Sequence, residues 1–188
     1  MGGIIFLAVL AVMLVYFIMT YNGLVVVKNN VSKAWANIDV LLKQRHDELP
    51  KLIDACKEYM KYEQATLEKV IQARSCVADA RESHNIAALG AAESALRAGL
   101  GSLFALVESY PELKANENFL HLQSRISGLE DAIADRREFY NDSANINNVR
   151  IEQFPDLIVA RLFNFGPAEL LRFDAVELED ADVAKRFG

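Results

Sequence analysis

The histidines and glutamates of the chain are the residues that could hold a metal ion. A di-metal carboxylate bundle carries Glu-x-x-His pairs on two of its helices. Glu117 precedes His121 by four residues, and Arg81 stands three positions before His84. The remaining histidine is His46, and the other candidate carboxylates are Glu63, Glu108, Glu112 and Glu130. Because no Glu-x-x-His pair occurs, we expect no metal centre.

Other catalytic patterns also fail to appear in the sequence. There is no glycine-rich phosphate loop and no Gly-x-Ser-x-Gly nucleophile elbow. The formal net charge of −6 argues against a nucleic-acid partner. Cys56 and Cys76 would lie ~30 Å apart on one continuous helix, beyond the ~4.4–6.8 Å reach of a disulfide, so we expect two small core residues. The sequence predicts neither enzymatic activity nor a cofactor.

The N-terminal segment is apolar enough to cross a bilayer. Residues 3–27 carry no Asp, Glu, Lys or Arg. A helix of this length, 25 residues, exceeds the ~30 Å of hydrocarbon that it must cross. Tyr16, Tyr21 and Asn22 stand towards its C-terminal end, where an interfacial belt is expected. We therefore predict that residues 3–27 bind the lipid bilayer.

A cleaved signal peptide is the alternative interpretation of this segment. It would need a basic start, an apolar core of ~7–15 residues and a small-x-small cleavage site. The chain begins "MGG" and its apolar core is longer, so we expect an uncleaved anchor. Lys28, Lys33, Lys43 and Arg45 follow the segment, and no basic residue precedes it. The positive-inside rule then predicts that the N-terminus lies outside and the body in the cytoplasm; a periplasmic body is the alternative.

The body shows helical periodicity throughout. Apolar residues recur at steps of three and four from Val31, and Arg45 interrupts this stripe. We expect the first helix to reach about Ala80, with a kink but no break at Pro50. A second helix follows a turn at "RESHN", with Asn85 as its N-cap and Pro111 closing it. A third long helix extends to Pro155.

A short apolar helix, "DLIVARLFNF", precedes Gly166 and Pro167. The predicted fold is all-α: an antiparallel three- to four-helix bundle with long helices, on an N-terminal transmembrane helix. The predicted domains are a membrane anchor at 1–27, the helical bundle at 28–165 and an acidic C-terminal tail at 166–188.

Several short motifs occur in a fixed order along the chain. They are Tyr21-Asn22, Ala34-Trp35, Ile38-Asp39-Val40, Leu42-Lys43-x-Arg45, Leu49-Pro50, "YPELKANENFLHLQ" (Tyr110 to Gln123), Arg136 and Tyr140-Asn141. In these motifs the chain resembles the LemA family, over nearly its whole length after the first ~20 residues. The resemblance implies a membrane-anchored bacterial protein with a helical body, and it implies no reaction.

The chain departs from the family pattern at two places. Asn147-Asn148 replaces the second Tyr-Asn of the family, and Asn164 stands where the family has a glycine. The loss of the tyrosine puts its contacts in doubt, although an asparagine can pair with polar neighbours instead.

The motif residues are the candidate interface or structural residues. They are Tyr21, Asn22, Trp35, Asp39, Lys43, Arg45, Tyr110, Pro111, Lys114, Asn116, Gln123, Arg136, Tyr140 and Asn141. One interpretation is that the polar members cap helices and fix the register of the bundle by satisfied hydrogen bonds. The other is that they form a polar groove or protomer interface near the membrane. Trp35 is expected in the core.

The sequence favours a structural or interaction protein. The first hypothesis is a membrane-anchored scaffold that forms a homo-oligomer, in coiled-coil fashion, through its long helices and presents its bundle to other membrane proteins. The alternative is an accessory or regulatory subunit of a membrane enzyme, such as an envelope quality-control protease. The sequence motifs give little support to an enzyme.

Overall fold

The computed structural model describes residues 1–172, and these residues form six helices and no strand. The helices are α1 (Gly2–Tyr59), α2 (Gln64–Glu82), α3 (Ile86–Val107), α4 (Pro111–Lys114), α5 (Glu117–Glu152) and α6 (Asp156–Leu162). The predicted all-α fold is confirmed. Most of the predicted acidic tail, residues 173–188, lies outside the described residues.

The predicted end of the first helix was wrong. Helix α1 ends at Tyr59 rather than near Ala80, and a turn separates it from α2. No glycine or proline marks this turn. It is held by tertiary contacts instead: Met60 is fully buried, and Asn116 donates a hydrogen bond of 3.2 Å to the hydroxyl of Tyr59. Pro50 lies inside α1, which continues through it as expected.

The two cysteines consequently lie on different helices, and the argument from a single helix does not apply to them. Both are free thiols. Cys56 on α1 is a buried core residue as predicted, whereas Cys76 on α2 is exposed. Burial raises the pKa of the Cys56 thiol to about 11.

Side-chain caps fix two of the helix starts. The side chain of Asn85 accepts a hydrogen bond of 2.9 Å from the backbone N–H of Ala88, which confirms the predicted N-cap of α3. Asn116 caps α5 in the same way through the N–H of Phe119, at 3.1 Å. Pro111 does not close α3, which ends at Val107. It occupies the first turn of α4, where a missing N–H costs nothing.

The contacts divide the chain into two compact units. The first consists of residues 1–37 and 138–170. Within it, Val159 and Ala160 of α6 and Ile151 of α5 pack around Leu24 of α1. The N-terminal turns of α1 are exposed from Ile4 to Met19, apart from the half-buried Phe17. This part of α1 is long and apolar enough to cross a membrane. The domain boundaries proposed from the sequence stay predictions.

The second unit consists of residues 38–137 together with Leu171 and Arg172, the last of the described residues. It contains a core of the kind that the helical periodicity predicted. The apolar positions of α3 that recur at steps of three and four are all buried: Leu89, Ala92, Leu96, Leu100, Leu103 and Val107. Helix α2 packs against α3. A Cβ added at Gly99 would lie 3.3 Å from Val70, so the glycine permits this close approach.

Candidate functional site

A buried arginine lies at the centre of the second unit. Arg45 occupies the apolar stripe of α1 between Leu42 and Leu49, and its side chain is 1% exposed. Helical spacing puts these three residues on one face, so the guanidinium enters the core with its neighbours. A charge removed from water in this way must be paired.

Two glutamates from other helices pair with Arg45. Glu93 lies on α3 between Leu89 and Leu96 and is 2% exposed. It accepts a hydrogen bond from one terminal nitrogen of the guanidinium. The other terminal nitrogen donates to Oε1 of Glu130 on α5, at 2.5 Å.

A second arginine completes the cluster. The Nε of Arg97 on α3 donates to Oε2 of Glu130 at 3.3 Å. We call Arg45, Glu93, Arg97 and Glu130 the Arg45 cluster. It contains two cations and two carboxylates, so its formal charges balance when all four groups are ionised.

Burial and pairing act in opposite directions on these groups. Burial by itself would lower the pKa of Arg45, but the attraction of Glu93 and Glu130 outweighs it and raises this pKa. Burial raises the pKa of the Glu93 carboxyl, and the charge of Arg45 opposes that rise. The cluster is therefore a closed ionic network that joins three helices. Its geometry is that of a structural element, because Arg45 and Glu93 are inaccessible to a soluble substrate.

His46 follows Arg45 on α1 and contacts α2. The Nε of Arg74 donates to the backbone carbonyl of His46 at 3.0 Å, and a terminal guanidinium nitrogen lies 2.7 Å from the Nε2 of the imidazole. Because guanidinium only donates hydrogen bonds, this contact requires His46 to accept at Nε2 and to be neutral. Burial is the largest cause that lowers the pKa of His46, and the charge of Arg74 is the next.

The most specific sequence motif, "YPELKANENFLHLQ", surrounds the turn between α1 and α2. The Tyr110 hydroxyl donates to Glu63 at 3.4 Å, and Asn116 bonds to Tyr59 as described above. An open cavity of about 740 Å³ lies beside them. The residues that line it are Glu58, Tyr59, Lys61, Tyr62, Ser109, Tyr110, Pro111 and Glu112. Tyr62 is 95% exposed, so it contributes almost nothing to the core.

In the first unit, Trp35 and Tyr140 pack edge to face with their ring centroids 5.9 Å apart. Trp35 is half-buried and Tyr140 is buried. The Tyr140 hydroxyl donates to the backbone carbonyl of Glu169 at 2.8 Å. These contacts attach the segment after α6 to the helices.

The two asparagines that depart from the family pattern pair with the same segment. Asn147 donates to the carbonyl of Gly166 at 3.2 Å. Asn148 donates to the carbonyl of Ala168 at 2.9 Å and accepts from its N–H at 2.7 Å. Asn164 has a φ of 55°, a left-handed conformation that glycine and asparagine adopt most readily. Asparagine therefore serves there in place of the glycine.

The other predicted site residues are dispersed. Tyr21 packs against Phe163 and Phe165, while Asn22 and Lys43 are exposed. Asp39 pairs with Arg81 at 3.5 Å, and Lys114 pairs with Glu108. Gln123 and Asn141 are half-buried, and Arg136 is exposed. Five of the fourteen candidates belong to the first unit and nine to the second; the five are Tyr21, Asn22, Trp35, Tyr140 and Asn141.

Sequence reasoning missed Glu93 and Arg97. The signal was present, because Arg45 and Glu93 each occupy a core position in a stripe of leucines. Two opposite charges on the apolar faces of two helices predict a buried ion pair. Glu130 was weighed as a metal ligand and not as a partner of Arg45, and no group of three or more metal-binding side chains occurs within residues 1–172.

Comparison with known proteins gives a family match and a small set of relatives. The model of the LemA family matches residues 34–185. Protein LemA of Metamycoplasma hominis is 27% identical over 165 residues, which cover 87% of this chain and 74% of that protein.

The magnetosome proteins are similar over a shorter region. Magnetosome protein MamQ 2 of Paramagnetospirillum magneticum is 35% identical over 82 residues, or 44% of this chain. Magnetosome protein MamQ of Magnetospirillum gryphiswaldense is 34% identical over the same length. The match spans only 30% of the length of each magnetosome protein.

Breaking the Arg45 cluster should destabilise the bundle strongly. Glu93→Leu leaves the charge of Arg45 buried with one partner fewer, and such a loss typically costs about 3–5 kcal/mol. The double variant Arg45→Met, Glu93→Leu removes both charges and should be more stable than Glu93→Leu alone. Equilibrium unfolding of the full chain in mild detergent measures the difference. Asp54→Ala, which breaks the exposed pair with Lys57, is the control and should change little. A Glu93→Leu protein as stable as the control would contradict the pairing.

Acid should weaken the bundle through His46. Because its pKa is lowered on folding, the unfolded chain binds a proton first as the pH falls. The contribution of His46 to the free energy of unfolding is therefore fully present above the ordinary pKa of 6.5 and decreases as the pH falls below it. His46→Gln keeps an acceptor for Arg74 but cannot titrate, so its unfolding should lose this dependence between about pH 7.5 and 5.5. His121→Gln, at an exposed position of α5, should keep it. If the free energy of unfolding depended on pH in the same way for the wild type and for His46→Gln, this explanation would be refuted.

Proposed function

Because the chain belongs to the LemA family, we propose that it is a single-pass scaffold protein of the bacterial cytoplasmic membrane, which self-associates and has no catalytic activity of its own. The observation that carries the proposal is the continuity of α1. One helix contains both the apolar segment from Ile4 to Met19 and residues that are buried in the first unit, Leu24, Val27 and Ala34. An anchor without a flexible linker suits a protein that holds its body in a fixed place.

The pairing of buried charged side chains supports a structural role. Arg45 and Glu93, the most deeply buried ionisable groups among the described residues, pair with each other, and Arg97 balances the charge of Glu130. Perturbed carboxylates at an enzyme site normally face a cleft that a substrate can enter. Here they join α1, α3 and α5, which fixes the register of these helices.

A second copy of the chain is the partner that the open cavity beside Tyr62 fits. Tyrosine provides large contact area at low cost in conformational entropy and is enriched at protein interfaces. The rim carries both signs of charge, Lys61 together with Glu58 and Glu112. A patch with both signs can pair with itself across a two-fold axis, the lysine of one copy facing a glutamate of the other.

The proposed orientation can be tested with a native cysteine. The positive-inside rule places the body in the cytoplasm. Cys76 is exposed, whereas Cys56 is buried and its raised pKa makes it unreactive. A membrane-impermeant maleimide should therefore label the protein only after the inner membrane has been permeabilised. Labelling in cells with only the outer membrane opened would instead establish a periplasmic body. Cys76→Ser is the control for background.

The mass of the full-length protein in mild detergent tests self-association. We expect a discrete homo-oligomer by light scattering, with no stoichiometric second protein by mass spectrometry. Tyr62→Ala should weaken assembly by about tenfold or more, as for an interface hot spot, and leave the melting temperature unchanged. Phe139→Ala, which removes another exposed aromatic ring, should affect neither. A monomer bound to one other protein would contradict the scaffold and favour an accessory subunit of a membrane enzyme.

A further inference from the structure

The apolar residues around α6 that face outwards require an explanation. Val159 and Ala160 are buried against Leu24 and Ile151, so they account for one face of the helix. Ile158 and Leu162, spaced by four residues on another face, are 59% and 64% exposed. Phe154, just before the helix, is 81% exposed. We propose that this second face, formed by Phe154, Ile158 and Leu162, is seated in the interfacial layer of the same bilayer that α1 crosses.

The position of α6 along α1 supports this assignment. The ring of Phe163 lies 5.9 Å from that of Phe17 and 4.8 Å from that of Tyr21. Both rings of α1 belong to the uncharged segment 3–27. A surface that touches the final turns of a membrane segment lies at the level of the bilayer boundary.

The length of the apolar segment points to the same level. Residues 3–27 would form a helix of ~37 Å, which is longer than the ~30 Å hydrocarbon layer. The first residue of α1 that the protein buries is Thr20. Residues 3–20 span ~27 Å, close to the thickness of the hydrocarbon. The turns from Thr20 to Val27 therefore stand at the interface, where α5 and α6 cover them.

Basic side chains occur where lipid headgroups would lie. Lys28 follows the apolar segment, and its Nζ is 5.9 Å from the ring of Phe165. Arg161 is exposed on α6 between Ile158 and Leu162. Arginine beside apolar residues can extend its guanidinium to the phosphates while its stem stays in the apolar layer. Through Phe163, which packs on Phe17 and Tyr21, α6 adjoins the apolar segment of α1, so lipid is the occupant that its exposed face fits.

The inference rests on the membrane anchoring proposed above, and a fluorescence experiment separates the two. The full chain, in a Cys76→Ser background, carries one polarity-sensitive label at Ile158→Cys or Leu162→Cys. The protein is placed in nanodiscs of phosphatidylcholine and phosphatidylglycerol. Leu10→Cys reports the middle of the membrane segment, and Leu120→Cys reports an exposed apolar position on α5. Nitroxide lipids labelled near the headgroup or deep in the acyl chain provide the quenchers.

Labels at positions 158 and 162 should be quenched more by the shallow nitroxide than by the deep one. The label at position 10 should show the reverse order, and the label at position 120 should be quenched by neither. If position 10 is quenched and positions 158 and 162 behave like position 120, the interfacial assignment fails while the anchor stands. If the labels at positions 158 and 162 are quenched neither by iodide in solution nor by the lipid nitroxides, a protein covers this face. That result also overturns the proposal. No quenching at position 10 would refute the anchor itself.

Discussion

The guanidinium of Arg45 can remain in the core only while Glu93 and Glu130 are both beside it. A buried charge that loses its partner costs several kcal/mol, so helices α1, α3 and α5 must keep one register for the cluster to form. Buried ionic groups are weak contributors to net stability compared with apolar residues of similar volume. Their established use is to make one arrangement of helices preferable to its neighbours.

The local sequence pattern predicted those features that depend only on residues close together in the chain. The core positions of α3 follow from a single helical stripe, and the cap at Asn85 follows from its position before an apolar run. The end of α1 could not be predicted in this way. Its sequence around Met60 is compatible with helix, and the break exists because Tyr59, Glu63 and their partners in the "YPELKANENFLHLQ" motif hold the turn. A boundary set by contacts between distant residues leaves no trace in local propensity.

The candidate site residues separate into two classes once their partners are known. Arg45, Asn116 and Tyr140 are engaged by the fold itself, through the ionic cluster, a helix cap and a contact with the chain after α6. Their occurrence in motifs is explained by packing. Asn22, Lys43 and Arg136 lie at exposed positions where the core makes no comparable demand. Sequence resemblance selects both classes equally, because it records which residues recur and not why.

The sequence likewise does not show where along the apolar segment of α1 exposure to lipid gives way to burial by protein. Hydropathy alone extends the segment to Val27, since a residue buried by protein and one bathed in lipid are equally apolar. Exposure distinguishes them: Met19 is exposed, whereas Thr20, Leu24 and Val27 are buried at helical spacing of four and three. This spacing appears only in the structure, and it marks the turn at which protein begins to cover α1. The last turns of the apolar segment therefore belong to the protein core, and the lipid-facing part is correspondingly shorter.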